Sequence, residues 1–555
     1  MDYQAEYQNW LEKAADPEIL EELKAMDGAA VQDAFYRELE FGTAGLRGVI
    51  GAGTNRMNLY TVGKASQGLA NYVLQNFKEA PSIAVSMDSR IKSDYFSRVA
   101  SAIFAANGIK VYIYPELMPT PCLSWAVRRL GCSAGIMVTA SHNPAQYNGY
   151  KVYGADGCQI TTEAADAILG EIEKLDLFAD VKTMPFEEGL EKGLIEWIGE
   201  DVYTEFTEQV KNQSVLFGDE IDRDVAIVYT PLNGAGLKPV LRALRETGFT
   251  NITVVKEQEQ PDGNFPTCPY PNPEIREAMA LGLEYCEKTG ADLLLATDPD
   301  SDRCGIAVKD AEGYRLISGN ELGLLLLNFI CEQRKKHGRM PEHPVFVKSI
   351  VTTDLAGKVA AHYGVETVNV LTGFKYIGEV IGRLEAQGHE SDYIFGFEES
   401  YGYLTGSYVR DKDAVDAAFM ICEMFAYYKT RGISLLQKLA ELYSLYGYVK
   451  NAVYSFEFDG SSGMLKMQEL MKKFRLGLSE IGGRKVEKSL DYGPGLNGLP
   501  KADVLQYFLE DGSAVIIRPS GTEPKLKIYV TASGSDETAA KAAEKEIVDF
   551  MKTLL

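Results

Sequence analysis

At 555 residues, with 56 Lys and Arg against 79 Asp and Glu, the chain carries a formal net charge of −23. One hydrophobic core does not organise that length, so several domains are expected. The acidity argues against nucleic acid and anionic membrane surfaces as partners, because long-range repulsion opposes both. Hydrophobic residues at 46% and charged residues at 24% exclude the disordered and fibrous classes. A small anionic ligand is compatible with this surface only if basic side chains gather locally.

The opening MDYQAEYQNW lacks the basic start and apolar run of an export signal, so a cytoplasmic location is expected. Residues 322–331 form the longest apolar stretch, which Asn328 interrupts. At about half the length that spans a bilayer, it reads as a buried helix. Eight cysteines are scattered with no CxxC pair and no metal-ligand spacing. That pattern predicts reduced core thiols, with no disulfide and no zinc site.

Short apolar segments at 83–87, 111–114 and 136–138 alternate with helical patterns that begin near Ser93 and Thr120. The alternation restarts at 225–229, 252–255 and 293–296, and again at 345–347 with a later strand at 393–395. It predicts α/β layers with mainly parallel pairing, repeated as three similar units. Beyond Tyr446 the pattern becomes a strand at 452–458, a helix from about Gly463, strands at 515–517 and 526–530, and a helix from about Glu537. A smaller α+β domain is expected there, with the stretch 491–500, DYGPGLNGLP, as loop.

Four loops carry candidate chemistry. Thr139-Ala140-Ser141-His142-Asn143-Pro144 follows an apolar strand and precedes Tyr147-Asn148-Gly149-Tyr150-Lys151. It is compatible with a polar turn, or with Ser141 as a nucleophile or phosphate carrier and Lys151 in proton transfer. Thr297-Asp298-Pro299-Asp300-Ser301-Asp302-Arg303 places three carboxylates at alternate positions, where repulsion calls for a cation. Hard oxygen ligands select Mg²⁺ or Ca²⁺ over zinc. Gly396-Phe397-Glu398-Glu399-Ser400-Tyr401-Gly402 offers acceptors for sugar hydroxyls, although acidic residues after a strand are often simply solvated or helix-capping. Arg518-Pro519-Ser520-Gly521-Thr522-Glu523-Pro524 combines a guanidinium, hydroxyls and a glycine suited to phosphate oxygens, with Lys525 and Lys527 adjacent.

Taken in order, TASHNP, DPDSDR, GFEES and RPSGTEP resemble the four active-site loops of the α-D-phosphohexomutase superfamily, the phosphoglucomutases and phosphomannomutases. The resemblance extends from Phe41-Gly42-Thr43-Ala44-Gly45-Leu46-Arg47-Gly48 to the carboxyl-terminal domain. It implies an α/β fold of four domains around a central cleft, three related mixed α/β units plus a smaller carboxyl-terminal α+β domain. The corresponding limits are 1–208 with the phosphoserine loop, 209–315 with the metal loop, 316–440 with the sugar loop and 445–555 with the phosphate loop. It also implies Ser141 as phosphate carrier, with Asp298, Asp300, Asp302 and Ser141 around Mg²⁺. Arg47 and Lys151 match basic residues flanking the phosphoserine, beside His142, and Lys375 in Leu371-Thr372-Gly373-Phe374-Lys375 matches an acid–base lysine. For substrate it implies Arg303, Thr372, Gly373, Glu398, Ser400, Arg518, Ser520, Gly521, Thr522 and Lys527.

The long segment before FGTAGLRG and the GFEES wording look closest to the branch of bacterial α-phosphoglucomutases and phosphopentomutase-like enzymes. The implied reaction interconverts glucose 1-phosphate and glucose 6-phosphate through a phosphoserine and glucose 1,6-bisphosphate. A phosphopentomutase, a phosphomannomutase and a catalytically silent sugar-phosphate binder are the alternatives. Sugar phosphates are the expected partners, and no obligate protein partner is implied.

Overall fold

The computed structural model describes residues 2–42, 45–458, 460–496, 498–519 and 525–555, without the side chains of 460–462 and 464. The chain opens with helices Tyr3–Lys13, Pro17–Ala25 and Gly28–Phe35, which the periodicity analysis left unassigned. Each follows an aspartate, Asp2, Asp16 or Asp27, whose carboxylate accepts a backbone N–H of the first turn. They close a small core around Trp10, Leu23 and Phe35.

The first unit contains β1 (Leu46–Val49), β2 (Ser82–Met87), β3 (Lys110–Ile113), β4 (Ala134–Val138), β5 (Tyr147–Gly154) and β6 (Ile195–Trp197), in the order β1-β5-β4-β2-β3-β6. The second contains β7 (Ile227–Thr230), β8 (Ile252–Val254), β9 (Leu293–Thr297), β10 (Cys304–Asp310) and β11 (Gly313–Ile317), in the order β11-β10-β9-β7-β8. The third contains β12 (Val345–Ser349), β13 (Glu366–Val370), β14 (Tyr393–Glu398) and β15 (Gly402–Leu404), in the order β13-β12-β14-β15.

One plan recurs in all three. A first strand (β2, β7, β12) is flanked by parallel second (β3, β8, β13) and third (β4, β9, β14) strands. A fourth (β5, β10, β15) returns antiparallel beside the third. The expectation of mainly parallel pairing is therefore corrected for the fourth strand of each unit. The connection from third to fourth strand is too short for a crossover helix, and only antiparallel pairing closes it. The inner strands β2, β4, β7, β9 and β12 are buried along their whole length, which explains their mainly apolar character, with Ser86 and Lys348 among the buried polar exceptions.

The expected helices appear as Ser93–Ala106, Thr120–Leu130 and Gly319–Lys336. Residues 322–331 are buried throughout the last of these, which starts at a reciprocal cap between Ser318 and Glu321. No described helix is long and apolar enough to cross a membrane. One apolar cluster joins Leu123 of the first unit, Leu295 of the second and Phe329 and Phe395 of the third, so the three units share a core. All eight cysteines are buried free thiols.

The carboxyl-terminal unit is a wholly antiparallel sheet of β16 (Tyr448–Glu457), β17 (Glu480–Ile481), β18 (Arg484–Asp491), β19 (Leu505–Leu509), β20 (Ala514–Pro519) and β21 (Lys525–Gly534), ordered β16-β21-β20-β19-β18-β17. Helices Gly460–Arg475 and Glu537–Leu554 cover it over a core that includes Phe474, Ile528 and Ile547. In the expected loop, Asp491 ends β18 and Leu496 bridges Leu499. A thin apolar seam joins this unit to the third, with Ile350, Val351 and Leu371 against Tyr492, Ile516 and Tyr529. The expected limits at 208 and 440 fall inside the continuous helices Glu200–Lys211 and Leu435–Tyr446.

Glu423, on the third unit's helix Ala414–Thr430, accepts from Ser214 Oγ (2.5 Å) and Val215 N–H (2.9 Å), tying down the segment between the first two units. Burial raises this carboxyl to about 7. A carboxyl raised in the folded state contributes stability that is intact below its ordinary range and lost as pH climbs through about 7. Glu423→Gln keeps both hydrogen bonds without the charge. It should match the wild type near pH 4.5 and exceed it at pH 8 by something on the order of 3 kcal/mol. Paired thermal melts across that range should show the two curves separating upward in pH.

Candidate active site

The chemistry-bearing loops occupy equivalent places in the repeated plan. Residues 139–146 connect β4 to β5, residues 298–303 connect β9 to β10, and residues 399–401 connect β14 to β15. In each hairpin one non-glycine residue takes the left-handed conformation: Ser141 at φ 51°, Ser301 at 51° and Tyr401 at 64°. That costs an L-residue about 1–2 kcal/mol, so surrounding contacts must hold it.

Ser141 is 5% exposed. Its Oγ donates to Asp298 Oδ2 at 3.0 Å and lies 3.1 Å from His142 Nδ1. Its backbone N–H donates to Thr139 Oγ1 at 2.8 Å. Burial, with Arg303 and Arg47 nearby, holds His142 well below the usual imidazole range, so the ring is neutral. Arg47, on β1, reaches the same loop by donating to Asn143 Oδ1 at 3.3 Å.

Asp298, Asp300 and Asp302 are buried, and each offers an oxygen within 4.8 Å of the others. Burial and the two neighbouring carboxylates push Asp298 well above the usual range. Burial acts on Asp300 in the same direction, but the Lys151 ammonium at 2.7 Å overrides it and holds Asp300 low. Lys151, on β5, also lies 3.5 Å from Asp302. Burial opposes its charge, yet the two carboxylates raise its pKa and make it a fixed cation. One oxygen of Asp300 and one of Asp302, Oδ1 in each case, are buried with no hydrogen-bond partner among the described residues. Orphaned acceptors within a triad of hard oxygen donors fit a divalent cation.

Beside the triad, Arg303 pairs with Glu274 and lies 3.8 Å from Asp302. Glu398 ends β14 and accepts the Gly373 N–H at 2.7 Å. The Thr372 hydroxyl is buried without a partner among the described residues, and Ser400 is half-buried in the hairpin turn. Glu399 turns the other way, accepting from Thr352 (3.1 Å) and Ser349 (3.3 Å), and burial beside Glu398 raises it to about 7. The Lys375 ammonium lies 5.0 Å from the Tyr376 ring centroid. Burial lowers its pKa, with Glu379 as the main opposing charge. Arg518 and Lys527 stand opposite each other across β20 and β21. Burial and the Arg518 charge lower Lys527, while Glu274 and Glu399 pull it upward. The basic pair therefore feels the loops of the second and third units. Ser520, Gly521 and Thr522 lie outside the described residues.

Sequence reasoning missed several residues that this arrangement uses. Lys412, from the third unit, stands 3.1 Å from both Asp302 and Asp411. Burial works against its charge, and those carboxylates keep it protonated. The charged run Arg410-Asp411-Lys412-Asp413 was the signal available for it. Thr120, at a helix start in the first unit, donates its hydroxyl to Asp300 Oδ2 at 2.9 Å. Nothing in the local sequence marks that role.

Three α/β units and an antiparallel carboxyl-terminal unit thus present a buried serine hydroxyl to a carboxylate triad, with a separate basic pair opposite. Fold and site together define a phosphoryl-handling enzyme of the four-domain type. The Phosphoglucomutase/phosphomannomutase descriptions match throughout: alpha/beta/alpha domain I over residues 38–178, domain II over 204–313, domain III over 318–446 and the C-terminal domain over 465–548. The chain belongs to this family of mutases. A phosphoglucomutase of Staphylococcus haemolyticus is 35% identical over 536 residues, covering 94% of this chain and 95% of that one. A putative phosphomannomutase from Thermus thermophilus superposes with a TM-score of 0.69 at 22% identity, covering 93% of this chain and 99% of that one. N-acetylphosphoglucosamine mutase from Aspergillus fumigatus, in complex with GlcNAc-6P and magnesium, superposes at 0.51 with 13% identity, covering 97% and 100%.

Asp300→Asn removes one charge from the triad and leaves the Lys151 ammonium without its closest counter-charge. Divalent-cation affinity should fall by at least the roughly 10- to 100-fold that loss of an outer-shell partner alone costs. Titration with Mn²⁺ followed by electron paramagnetic resonance reads this without reference to turnover.

Proposed function

We propose that the chain interconverts glucose 1-phosphate and glucose 6-phosphate, with Ser141 carrying the phosphoryl group between the two ends of the sugar. The observation that carries this reading is the Ser141 hydroxyl 3.0 Å from Asp298, within a carboxylate triad that two fixed lysines partly neutralise. Opposite it, Arg518 and Lys527 supply a second phosphate-recognising surface. A mutase needs two such surfaces, because one phosphate transfers while the other is held.

In the proposed cycle, phosphorylated Ser141 gives its phosphoryl group to the free sugar hydroxyl, forming glucose 1,6-bisphosphate. The bisphosphate then reorients and returns its other phosphate to Ser141. Lys151 and Lys412 are held charged by their aspartates, so they stabilise negative charge rather than take protons. The lowered pKa of Lys375 suits it to accept and return the hydroxyl proton. Mg²⁺, held by Asp298, Asp300, Asp302 and Ser141, would supply positive charge to the transferring oxygens. Glu398, Ser400, Thr372 and Gly373 recognise sugar hydroxyls, and Arg303 adds positive charge on the substrate side. Arg518, Ser520, Gly521, Thr522 and Lys527 hold the standing phosphate. His142 and Arg47 flank the carrier loop. We further propose division into four domains near 208, 315 and 440, with each limit moved to the end of the helix or strand it interrupts. A cytoplasmic location accords with this chemistry.

Comparing kcat/KM for glucose, mannose, ribose and deoxyribose 1-phosphates tests the substrate assignment, and a preference for any sugar but glucose overturns it. Ser141→Ala should be folded and inactive, because alanine cannot carry phosphate. Intact-mass analysis should find a phosphate adduct on the wild type that the variant lacks. Arg518→Ala should lose about 2–4 kcal/mol, or roughly 30- to 1000-fold, in kcat/KM in both directions, with Lys recovering only part because an ammonium lacks the planar fork. Forward and reverse assays beside the Ser141 phosphorylation level check this, since that level should be unchanged.

A further inference from the structure

The Ser141 loop is gripped from beneath by a residue outside the scheme above. Arg90 follows β2, and its side chain is completely buried. Its Nε and Nη2 donate to the Ser141 carbonyl at 3.2 and 2.6 Å, and its Nη1 donates to the carbonyls of Pro144 (3.0 Å) and Tyr147 (2.9 Å). Nη2 also donates to the carbonyl of Asn143. One planar fork thus collects four carbonyls between residues 141 and 147.

The fork is itself held from two sides. Asp88 lies 3.5 Å from Arg90 Nε and accepts the Arg90 backbone N–H (3.0 Å), the Ser93 hydroxyl (2.8 Å) and the Thr139 hydroxyl (2.6 Å). Thr139 Oγ1 in turn accepts the Ser141 N–H, so both backbone polar groups of Ser141 trace back to the Asp88–Arg90 pair. From the second unit, the Phe265 ring centroid lies 5.1 Å from the guanidinium. Gly263 sits so close that a Cβ there would fall 2.4 Å from Ile91 N and 2.8 Å from Arg90 C.

Drawing the carbonyls of 141, 143, 144 and 147 towards one inward point turns the rest of the loop outward, where Ser141 Oγ meets Asp298. It also stabilises a left-handed backbone that serine does not choose unaided. We propose that Arg90 is a positioning residue for the phosphoryl-transfer step: it sets the height and direction of Ser141 Oγ without touching substrate. This rests on Ser141 as the carrier. A lysine retains the charge, but three donors on a single atom cannot serve four carbonyls spread along a loop.

The test is single-turnover transfer from phosphorylated enzyme to glucose 6-phosphate, read by quench-flow and intact mass, in Arg90→Lys and Thr139→Val. A displacement of about 1 Å at the reacting atom costs roughly 100-fold. Transfer from Ser141 should slow by that order in Arg90→Lys and less in Thr139→Val. KM for glucose 6-phosphate should stay near wild type, because the proposed sugar and phosphate loops lie on other units. A residue that only supported the fold would lower the melting temperature and leave the transfer rate of folded, phosphorylated enzyme unchanged, and that result overturns the proposal. If Arg90→Lys does not fold, Thr139→Val decides alone, and a wild-type transfer rate there overturns it equally. Ser141→Ala run alongside separates the two readings. Activity in that variant removes the carrier assignment, whereas an inactive Ser141→Ala beside unimpaired Arg90→Lys and Thr139→Val removes only the role given to Arg90.

Discussion

Three carboxylates buried within 4.8 Å of one another are the constraint on which the assembly depends. Uncompensated, each buried charge costs several kcal/mol, and the repulsion among them adds to it. Beyond Arg303 of the same unit, compensation comes from outside the unit that owns them. Lys151 belongs to the first unit and Lys412 to the third, while the aspartates sit on the second. Thr120 of the first unit adds a hydroxyl to Asp300. The place where chemistry is proposed to occur is therefore also the place where three units are electrostatically fastened, in addition to their shared apolar core.

The same hairpin carries each chemical group because of strand geometry. Every α/β unit places its third strand beside its first, then reverses into an antiparallel fourth strand on the other side of the third. That reversal leaves a short loop with one left-handed residue, Ser141, Ser301 or Tyr401, whose neighbours project from the sheet's end. Three copies of one plan, packed through a common core, bring three such loops together. A serine, an aspartate triad and a pair of glutamates then occupy equivalent positions with different chemistry.

The fourth unit obeys different rules. Its sheet is wholly antiparallel, most of its core is its own, and its apolar contacts with the third unit are a seam around Leu371 and Tyr529 and a second at Val449 and Tyr448 beside Tyr443. The basic pair Arg518 and Lys527 lies on this sheet and feels the charges of Glu274 and Glu399 from the second and third units.

Much of this was legible in the residues. Alternating apolar and amphipathic segments predicted the α/β units, since strands buried on both faces must be continuously apolar, and the buried helix at 322–331 followed from length alone. The four loops were marked by their side chains: Ser141 in a polar turn, three aspartates at alternate positions, a pair of glutamates, and an arginine followed by hydroxyls and a glycine. The fourth strand of each unit and the amino-terminal helices were not legible. Lys151 lies on such a strand, and its residues Tyr147-Asn148-Gly149-Tyr150 have neither clean alternation nor an apolar run. By itself the sequence determined which chemical groups are available and in what order. Only the tertiary structure decided that Lys412, Thr120 and Arg90 serve the site. Each is distant along the chain from the group it contacts, and pairings of that kind are set by how sheets and units pack rather than by any local pattern.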